Sequence, residues 1–304
     1  MTTSPLPPAG AVYDRGYRPY EGKRGGRGAA RSALVRVSIR RALGLRRSWR
    51  QKVLPWSLLA IASIPAVVNV GVKYITRGTP ASDFDLITFR EYVGVSTTLL
   101  LFVAITAPDM VCPDRRNRVL PLIFARPLTG NDYVLAKVGA LTAILFGFSF
   151  LPQVVLFVGQ MFVAQEGALD YLTENAEVLW QVPVAVALFS LYLASLALAI
   201  SATTARRVVG GVALLATVFV SGTVATILVR GDGGGSFFET GNLWGLLSVI
   251  DVPLRISDLV FLGHVDPESL VGGAEGAGIG VVLVYVAVVA GSLGYLLYRY
   301  RGVE

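Results

Sequence analysis

The chain has 304 residues, of which 54% are hydrophobic and only 15% are charged, and its mean hydropathy is +0.62. Soluble domains carry about 25% charged residues, so this composition excludes an ordinary soluble protein and indicates a membrane protein. The net charge of +7 suits either nucleic acid or an anionic membrane surface. A single cysteine and a single histidine, Cys112 and His264, exclude an intramolecular disulfide and a metal site built from several His and Cys ligands.

Residues 1–28 are rich in Pro, Gly, Tyr and Arg, which predicts a disordered cytoplasmic tail. The first apolar run begins far too late for a secretory signal, so we expect the first span to remain as an uncleaved anchor. The segment from Gly16 to Lys23 resembles a phosphate-binding loop, but its spacing and Arg24 in place of Ser or Thr exclude one. We therefore expect neither nucleotide binding nor enzymatic activity in this chain.

Residues 29–52 are predicted to form an amphipathic helix that lies on the membrane. On a helical wheel Leu34, Val37, Ala42, Leu45 and Trp49 gather on one face. The interfacial residues singled out are Arg36, Arg40, Arg47 and Trp49. The alternative is a generic positive anchor that only sets the topology.

Six apolar windows are long enough to span a bilayer, which takes about 20 residues, and none has a charged residue near its middle. The windows are 53–72, 93–111, 138–164, 178–203, 208–229 and 279–298. The sequence therefore predicts an all-α integral membrane protein with six transmembrane helices. The polar residues in the middle of the spans are neutral, among them Asn69, Gln153 and Gln160, and Asp109 lies near the inner end of the second span. The absence of a mid-membrane charge argues against an ion-coupled carrier.

The basic residues predict the orientation of these spans. If the N-terminus is cytoplasmic, the inner segments carry 22 Lys and Arg and the outer segments carry 5. This asymmetry favours an N-in, C-in protein whose positive charge lies beside anionic lipid. Membrane lipids are therefore an expected partner, and nucleic acid is not.

The predicted cytoplasmic loop 112–137 combines a charged start with an apolar run, Val119 to Phe124, that is too short to span. Pro121 and Pro127 divide it into short pieces. Such a segment between two spans is a candidate docking element for a soluble partner. The alternative is a plain topology loop whose apolar run dips into lipid.

The predicted extracellular segment 230–278 contains two apolar stretches, 243–250 and 254–262, interrupted by charged residues. They are too short and too charged to span, and they fit amphipathic helices at the outer leaflet. Gly272, Gly276 and Gly280 follow at four-residue spacing, which suits either close helix contact or a flexible loop.

The run RVLPLIFARPLTGNDYVLAK, from Arg118 to Lys137, and the tail segment YRPYEG, from Tyr17 to Gly22, carry a family resemblance. Together with the topology they resemble the permease subunit of a bacterial ATP-binding-cassette (ABC) transporter of the type-2 exporter superfamily, actinobacterial-like. The resemblance covers nearly the whole chain.

By this resemblance, loop 112–137 would hold a coupling helix seated on a separate ATPase subunit, and helix 29–52 would be the connecting helix. The coupling residues would be Asp114, Arg115, Arg116, Arg118, Leu120, Leu122, Arg126 and Pro127. Two ATPase subunits, which would bind ATP and Mg²⁺, would drive two permease copies or paralogues in the bacterial plasma membrane. The chain itself would hold no cofactor and no metal, and it would export a hydrophobic or amphipathic substrate.

Two other functions remain open at this point. The chain could be a membrane scaffold or assembly protein that binds partners through its basic N-terminal segment. It could also be a membrane-embedded enzyme acting on lipid, although it lacks a credible catalytic set.

Overall fold

The computed structural model describes residues 25–45, 49–79, 86–93, 97–125, 127–165, 167–231, 243–274 and 276–301. Of the residues that the structure describes, 82% lie in helices and none lies in a strand. The all-α part of the predicted fold class is thereby confirmed. The N-terminal tail 1–24, Arg47, Arg126 and residues 232–242 of the predicted extracellular segment lie outside the described residues.

Within the described ranges, six helices are long and apolar enough to cross a membrane. These are α2 (Trp49–Ile75), α4 (Thr97–Arg116), α6 (Gly130–Val163), α8 (Val178–Thr203), α9 (Arg207–Gly231) and α11 (Ala277–Arg301). The shorter helices are α1 (Arg27–Ala42), α3 (Phe89–Tyr92), α5 (Leu120–Phe124), α7 (Ala168–Glu174) and α10 (Asp251–Leu262), with a 3-10 helix at Leu243–Leu247. The six apolar helices are therefore compatible with a multi-pass membrane protein.

Helix α8 lies at the centre of the bundle, because 67% of its apolar window is buried, compared with 17% for α2, 17% for α9 and 22% for α11. Its buried positions include many small residues, such as Ala185, Ala194, Ala197 and Ser201. Small side chains let neighbouring helices approach closely where lipid provides no hydrophobic drive for association. Helices α2, α9 and α11 thus form the periphery.

The predicted helix 29–52 is wrong as a single element, because α1 ends at Ala42 and residues 49–52 belong to α2. Gly44 adopts a φ of 67°, and the Leu45 N–H donates to the Arg40 carbonyl at 2.9 Å. A glycine in the left-handed conformation, followed by a residue whose N–H bonds back to a carbonyl in the last turn, is the Schellman motif that commonly ends a helix. The sequence carries the signal for this stop, Gly44, within the predicted helix.

The bounds of the spans agree best at α8, which covers 178–203 as predicted. Helix α6 begins at Gly130, well before the predicted 138, and α4 continues to Arg116 rather than ending at 111. The predicted loop 112–137 is therefore mostly helical. Of the segment 230–278, the described part contains the 3-10 helix and α10.

Contacts between helix ends define two ends of the bundle. At the first, which we call the basic end, α1 meets the end of α4 and the start of α6, and the connection between α8 and α9 joins them. At the other, which we call the distal end, Arg77 after α2 donates to the Ala164 carbonyl after α6 at 3.0 Å. The segments predicted to be cytoplasmic thus converge at the basic end.

Candidate functional site

The basic end contains the residues that the sequence singles out for partner binding. Its first defined feature is the cap at the start of α6. Thr129 and Asp132 form a reciprocal cap: the Asp132 N–H donates to Thr129 Oγ1 at 3.3 Å, and the Thr129 N–H donates to Asp132 Oδ2 at 3.1 Å. This capping box satisfies backbone donors that a helix start leaves open. It explains why α6 starts before its apolar run.

The same carboxylate fixes the first half of α1. Arg27 Nε donates to Asp132 Oδ2 at 2.7 Å, and Arg31 Nε donates to Oδ1 at 2.5 Å. Arg27 and Arg31 lie one helical turn apart, so both reach one buried acid. Charge-assisted hydrogen bonds of this kind are about twice as strong as neutral ones. Helix α1 is therefore attached to α6 by specific contacts.

A second cluster surrounds Asp114, whose side chain is buried at the end of α4. Its Oδ2 accepts hydrogen bonds from the Tyr133 hydroxyl at 2.9 Å and forms an ion pair with Lys137 Nζ at 2.8 Å. Its Oδ1 accepts from Arg41 Nη1 of α1 at 3.2 Å. Lys137 also donates to the Met110 carbonyl at 2.8 Å. Helices α1, α4 and α6 are thus joined by one buried carboxylate.

Tyr133 extends this cluster to the end of the chain, since its ring centroid lies 5.0 Å from that of Tyr300 in α11. Phe124 of α5 also approaches Tyr133 edge-on, with ring centroids 6.3 Å apart. Aromatic pairs at these separations are attractive beyond their buried area. The short helix α5 therefore packs against the same cluster.

Further contacts join α4 to the connection between α8 and α9. Arg115 donates to the Ala202 carbonyl, and Arg207 at the start of α9 forms a close ion pair with Asp109. The Cys112 thiol contacts the Thr204 carbonyl at 3.5 Å. The end of α4 is consequently held by α1, α6, α8 and α9.

Two of the predicted coupling residues do not face outward. Asp114 and Leu120 are 6% and 8% exposed, so the expectation that they face a partner is corrected. Asp114 is enclosed because three donors converge on it, and Leu120 is enclosed because it lies on the inner face of α5. Arg115 is half-buried and is committed to α8.

The other described coupling residues form an exposed surface, which we call the α5 surface. Its members are Arg116, Arg118, Leu122 and Pro127. Leu122 is 71% exposed although it is a large apolar residue. Arg118 has a φ of 50°, and among the described residues it is the sole non-glycine with a positive φ. Leu122 of α5 and the two arginines that precede this helix, Arg116 and Arg118, are therefore all exposed.

The expected interfacial residues take up different positions. Arg36 and Arg40 are exposed on α1, whereas Trp49 is 78% exposed at the start of α2. The inward face of α1 contains Leu34, Val35, Ser38 and Ile39, with Val37 on the outside. The predicted apolar face is therefore wrong in part, because α1 packs on α4 and α6 through a different stripe of residues.

The neutral polar residues of the spans bind connecting segments at the distal end. Asn69 Nδ2 donates to the Ile87 carbonyl at 2.9 Å, and Gln153 Nε2 donates to the Phe89 carbonyl at 3.1 Å. Gln160 accepts from the Tyr171 hydroxyl at 2.7 Å. These amides therefore attach the segment around α3, and α7, to the bundle.

A separate charge cluster joins α3 to α10. Arg90 Nη1 lies 2.9 Å from Asp266 Oδ2 and 3.5 Å from Asp258 Oδ1, and Arg255 donates to Asp258 Oδ2 at 2.7 Å. Burial raises the pKa of Asp258. A hydrogen bond from the Glu268 backbone N–H, with Arg90 beside it, lowers the pKa of Asp266.

Residues that the sequence analysis missed carry most of this geometry, notably Asp132, Tyr133 and Arg41. The Thr129-x-x-Asp132 spacing is a capping-box signal, and Lys137 stands alone in an apolar run, which is a signal for a buried pair. No family model matches the sequence, and no curated protein matches it. The family resemblance therefore stays a prediction, and the function is inferred from the geometry of the basic end.

Proposed function

We propose that the chain is the membrane-spanning permease subunit of an ABC exporter, driven by ATP hydrolysis in a separate ATPase subunit. The observation that carries the proposal is the α5 surface. It exposes Leu122, with the exposed Arg116 and Arg118 shortly before it in the chain, at the end of the bundle where Lys and Arg accumulate. An exposed apolar residue with a charged rim is typical of a protein interface.

The attachment of α5 to the bundle gives the mechanical part of the proposal. Phe124 contacts Tyr133, Tyr133 donates to Asp114, and Asp114 pairs with Lys137 and Arg41. A displacement of α5 by an ATPase therefore passes to α4, α6 and α1 through packed rings and buried hydrogen bonds. Coupling of this kind requires an element whose contacts differ between two states of the partner.

Helix α1 suits the role of a connecting helix. Arg27 and Arg31 hold one end to Asp132, and Arg41 holds the other end to Asp114. The exposed Arg36 and Arg40 between these anchors would face anionic lipid or the ATPase. The proposal includes an N-in, C-in orientation with the basic end in the cytoplasm of a bacterial cell.

The source of energy is assigned to the partner, since the sequence holds no phosphate-binding loop. Two ATPases with bound ATP and Mg²⁺ would work on two permease copies. The substrate class proposed is hydrophobic or amphipathic, because the apolar windows of the spans have no charge near their middle and would offer an apolar path. Fold alone supports none of these roles, so the proposal depends on the α5 surface.

Co-expression with a candidate ABC ATPase tests the proposal. Leu122→Asp should abolish co-purification of the ATPase, because a buried charge would replace an apolar anchor in the interface. The matched control is Leu169→Asp in α7, which changes a leucine that is 77% exposed at the distal end. Retention of the ATPase by Leu122→Asp, or failure of the unmodified chain to bind any ABC ATPase, would contradict the proposal and would favour a membrane scaffold.

A further inference from the structure

A groove of about 580 Å³ runs along the bundle from the basic end. It lies between the end of α1, the start of α2, and helices α4 and α9. Its charged rim consists of Arg41, Asp109 and Arg207. Its apolar wall includes Leu101, Ile105, Val208, Val212 and Leu215. The groove is therefore amphipathic along its length, with its charges at one end.

The groove opens toward the outside of the bundle. Leu101 and Ile105 of α4 are 41% and 47% exposed, and Val208 and Val212 of α9 are 78% and 59% exposed. Its back wall is formed where α9 lies directly on α4, since a Cβ at Gly211 would come within 2.5 Å of the Ala104 carbonyl oxygen. In a bilayer this side of the bundle faces lipid or another subunit.

The rim has an excess of positive charge. Arg41 and Arg207 share Asp109, with Arg207 in the close pair and Arg41 Nε at 4.0 Å. Arg41 also contacts Asp114, but Lys137 pairs with that carboxylate at 2.8 Å. Arg207 is half exposed, so its guanidinium retains donors for an anion. Two guanidinium groups on one rim suit the planar recognition of a phosphate.

We propose that this groove binds an acidic phospholipid, with its phosphate at Arg41 and Arg207 and an acyl chain along α4 and α9. The distance from Asp109 to Leu101 along α4 is about 12 Å, which leaves an apolar wall for several methylene groups. A free phosphate would contact the rim alone and would not need this wall. The inference depends on the membrane location of the chain and not on its proposed role as a permease.

Native mass spectrometry of the purified protein tests the proposal. The probes are phosphatidylglycerol and phosphatidylcholine with identical acyl chains, added to detergent-solubilised protein. We expect retention of phosphatidylglycerol in preference to phosphatidylcholine. Arg207→Gln should weaken phosphatidylglycerol binding about fivefold. The matched control is Arg206→Gln, which removes the same charge from an exposed neighbour outside the groove lining.

A second pair of variants tests the apolar wall. Val212→Trp fills the groove and should abolish retention of the lipid. Val220→Trp makes the same change on α9 at a residue that is 60% exposed and does not line the groove, and it should bind lipid as the unmodified protein does. Melting curves check that all variants are folded. If Arg207→Gln does not fold, Arg207→Lys replaces it: this variant keeps the charge beside Asp109 but lacks the planar guanidinium, and it should still bind phosphatidylglycerol more weakly than Arg206→Gln does.

Three results would overturn the proposal. The first is equal retention of the two lipids, and the second is equal lipid binding by Arg207→Gln and Arg206→Gln. The third is that Val212→Trp binds lipid as the unmodified protein does but no longer forms a dimer that the unmodified protein forms. That result would assign the groove to a second copy of the chain. No ATPase is present in these measurements, so their failure leaves the proposed function to its own test.

Discussion

The basic end and the distal end both hold charge clusters, but the clusters connect different parts of the molecule. At the basic end Asp114 and Lys137 join two spanning helices directly, and both side chains are buried. At the distal end Arg90, Asp258 and Asp266 join α3 to α10 and the segment that follows it. A charge change at the basic end should therefore destabilise the whole bundle. A change at the distal end should release connecting segments while the bundle stays intact.

The largest effect is expected for Lys137→Met. The substitution leaves Asp114 buried with fewer donors, and removing one partner of a buried pair costs about 3 kcal/mol or more. The free energy of unfolding in mixed micelles measures this loss. The double variant Asp114→Leu, Lys137→Met should recover part of the stability, because it removes both charges. A single variant as stable as the unmodified protein would contradict the burial of this pair.

A smaller effect, about 1–3 kcal/mol, is expected for Gly211→Ala. The new methyl group would lie 2.5 Å from the Ala104 carbonyl oxygen, so α9 must move away from α4. Gly291→Ala in α11 is the matched control, since a methyl group there meets nothing within 4 Å. The control should be neutral or slightly stabilising because alanine favours helix. Equal melting temperatures for the two variants would show that α4 and α9 are not in close contact.

At the distal end, Asp266→Asn should reduce stability at pH 7 by about 1 kcal/mol or less, because Asp266 is partly exposed. The lowered pKa of Asp266 means that its contribution is present above its ordinary pKa and is lost as the pH falls through the lowered value. The difference in melting temperature between variant and unmodified protein should therefore shrink below about pH 4. A difference that stays constant from pH 7 to pH 3 would contradict the ion pair with Arg90.

The contribution of Asp258 to stability changes with pH in the opposite direction, since burial raises the pKa of its carboxyl. Its contribution is present at low pH and is lost as the pH rises through the raised pKa. The two acids therefore oppose each other in the unmodified protein. The matched control for Asp266→Asn is Glu268→Gln, which removes a negative charge from an exposed neighbour. It should leave the melting temperature at pH 7 close to that of the unmodified protein.

The smallest effect is expected for Arg118→Gly in the turn before α5. Arg118 has a φ of 50°, which glycine adopts without steric cost, so the variant should gain about 0.5 kcal/mol. The matched control, Arg116→Gly, replaces the last residue of α4 and should lower the stability by less than the cost of about 1 kcal/mol that glycine has in a helix interior. Melting curves of the two variants should therefore shift in opposite directions. A shift in the same direction would argue against the turn.

The helical class and the six long apolar helices follow from the sequence because each apolar run is a local property. The sequence also contains local signals for the start of α6, the Thr129-x-x-Asp132 capping box, and for the end of α1, Gly44. The pairing of Asp114 with Lys137 could not be predicted in this way, since it depends on how α4 and α6 pack. The attachment of Arg27 to Asp132, more than one hundred residues away, likewise depends on tertiary structure.

The predicted coupling residues also separate into those whose exposure follows from local sequence and those whose position depends on tertiary packing. Charge in a connecting segment suggests exposure, and this holds for Arg116 and Arg118. It fails for Asp114, because α4 continues through this residue and turns its carboxylate inward. The exposed Leu122 was identified as part of an apolar run, but its outward direction depends on how α5 packs against Tyr133.

The central claim is that the α5 surface contacts an ATPase, and site-specific photocrosslinking tests it most directly. A photoreactive amino acid replaces Leu122 on the α5 surface or Leu169 at the distal end, in cells that co-express a candidate ABC ATPase. We predict a crosslink to the ATPase from position 122 and none from position 169. Absence of a crosslink at 122, or crosslinks of equal yield at both positions, would contradict the assignment of α5 as the element that couples this chain to ATP hydrolysis.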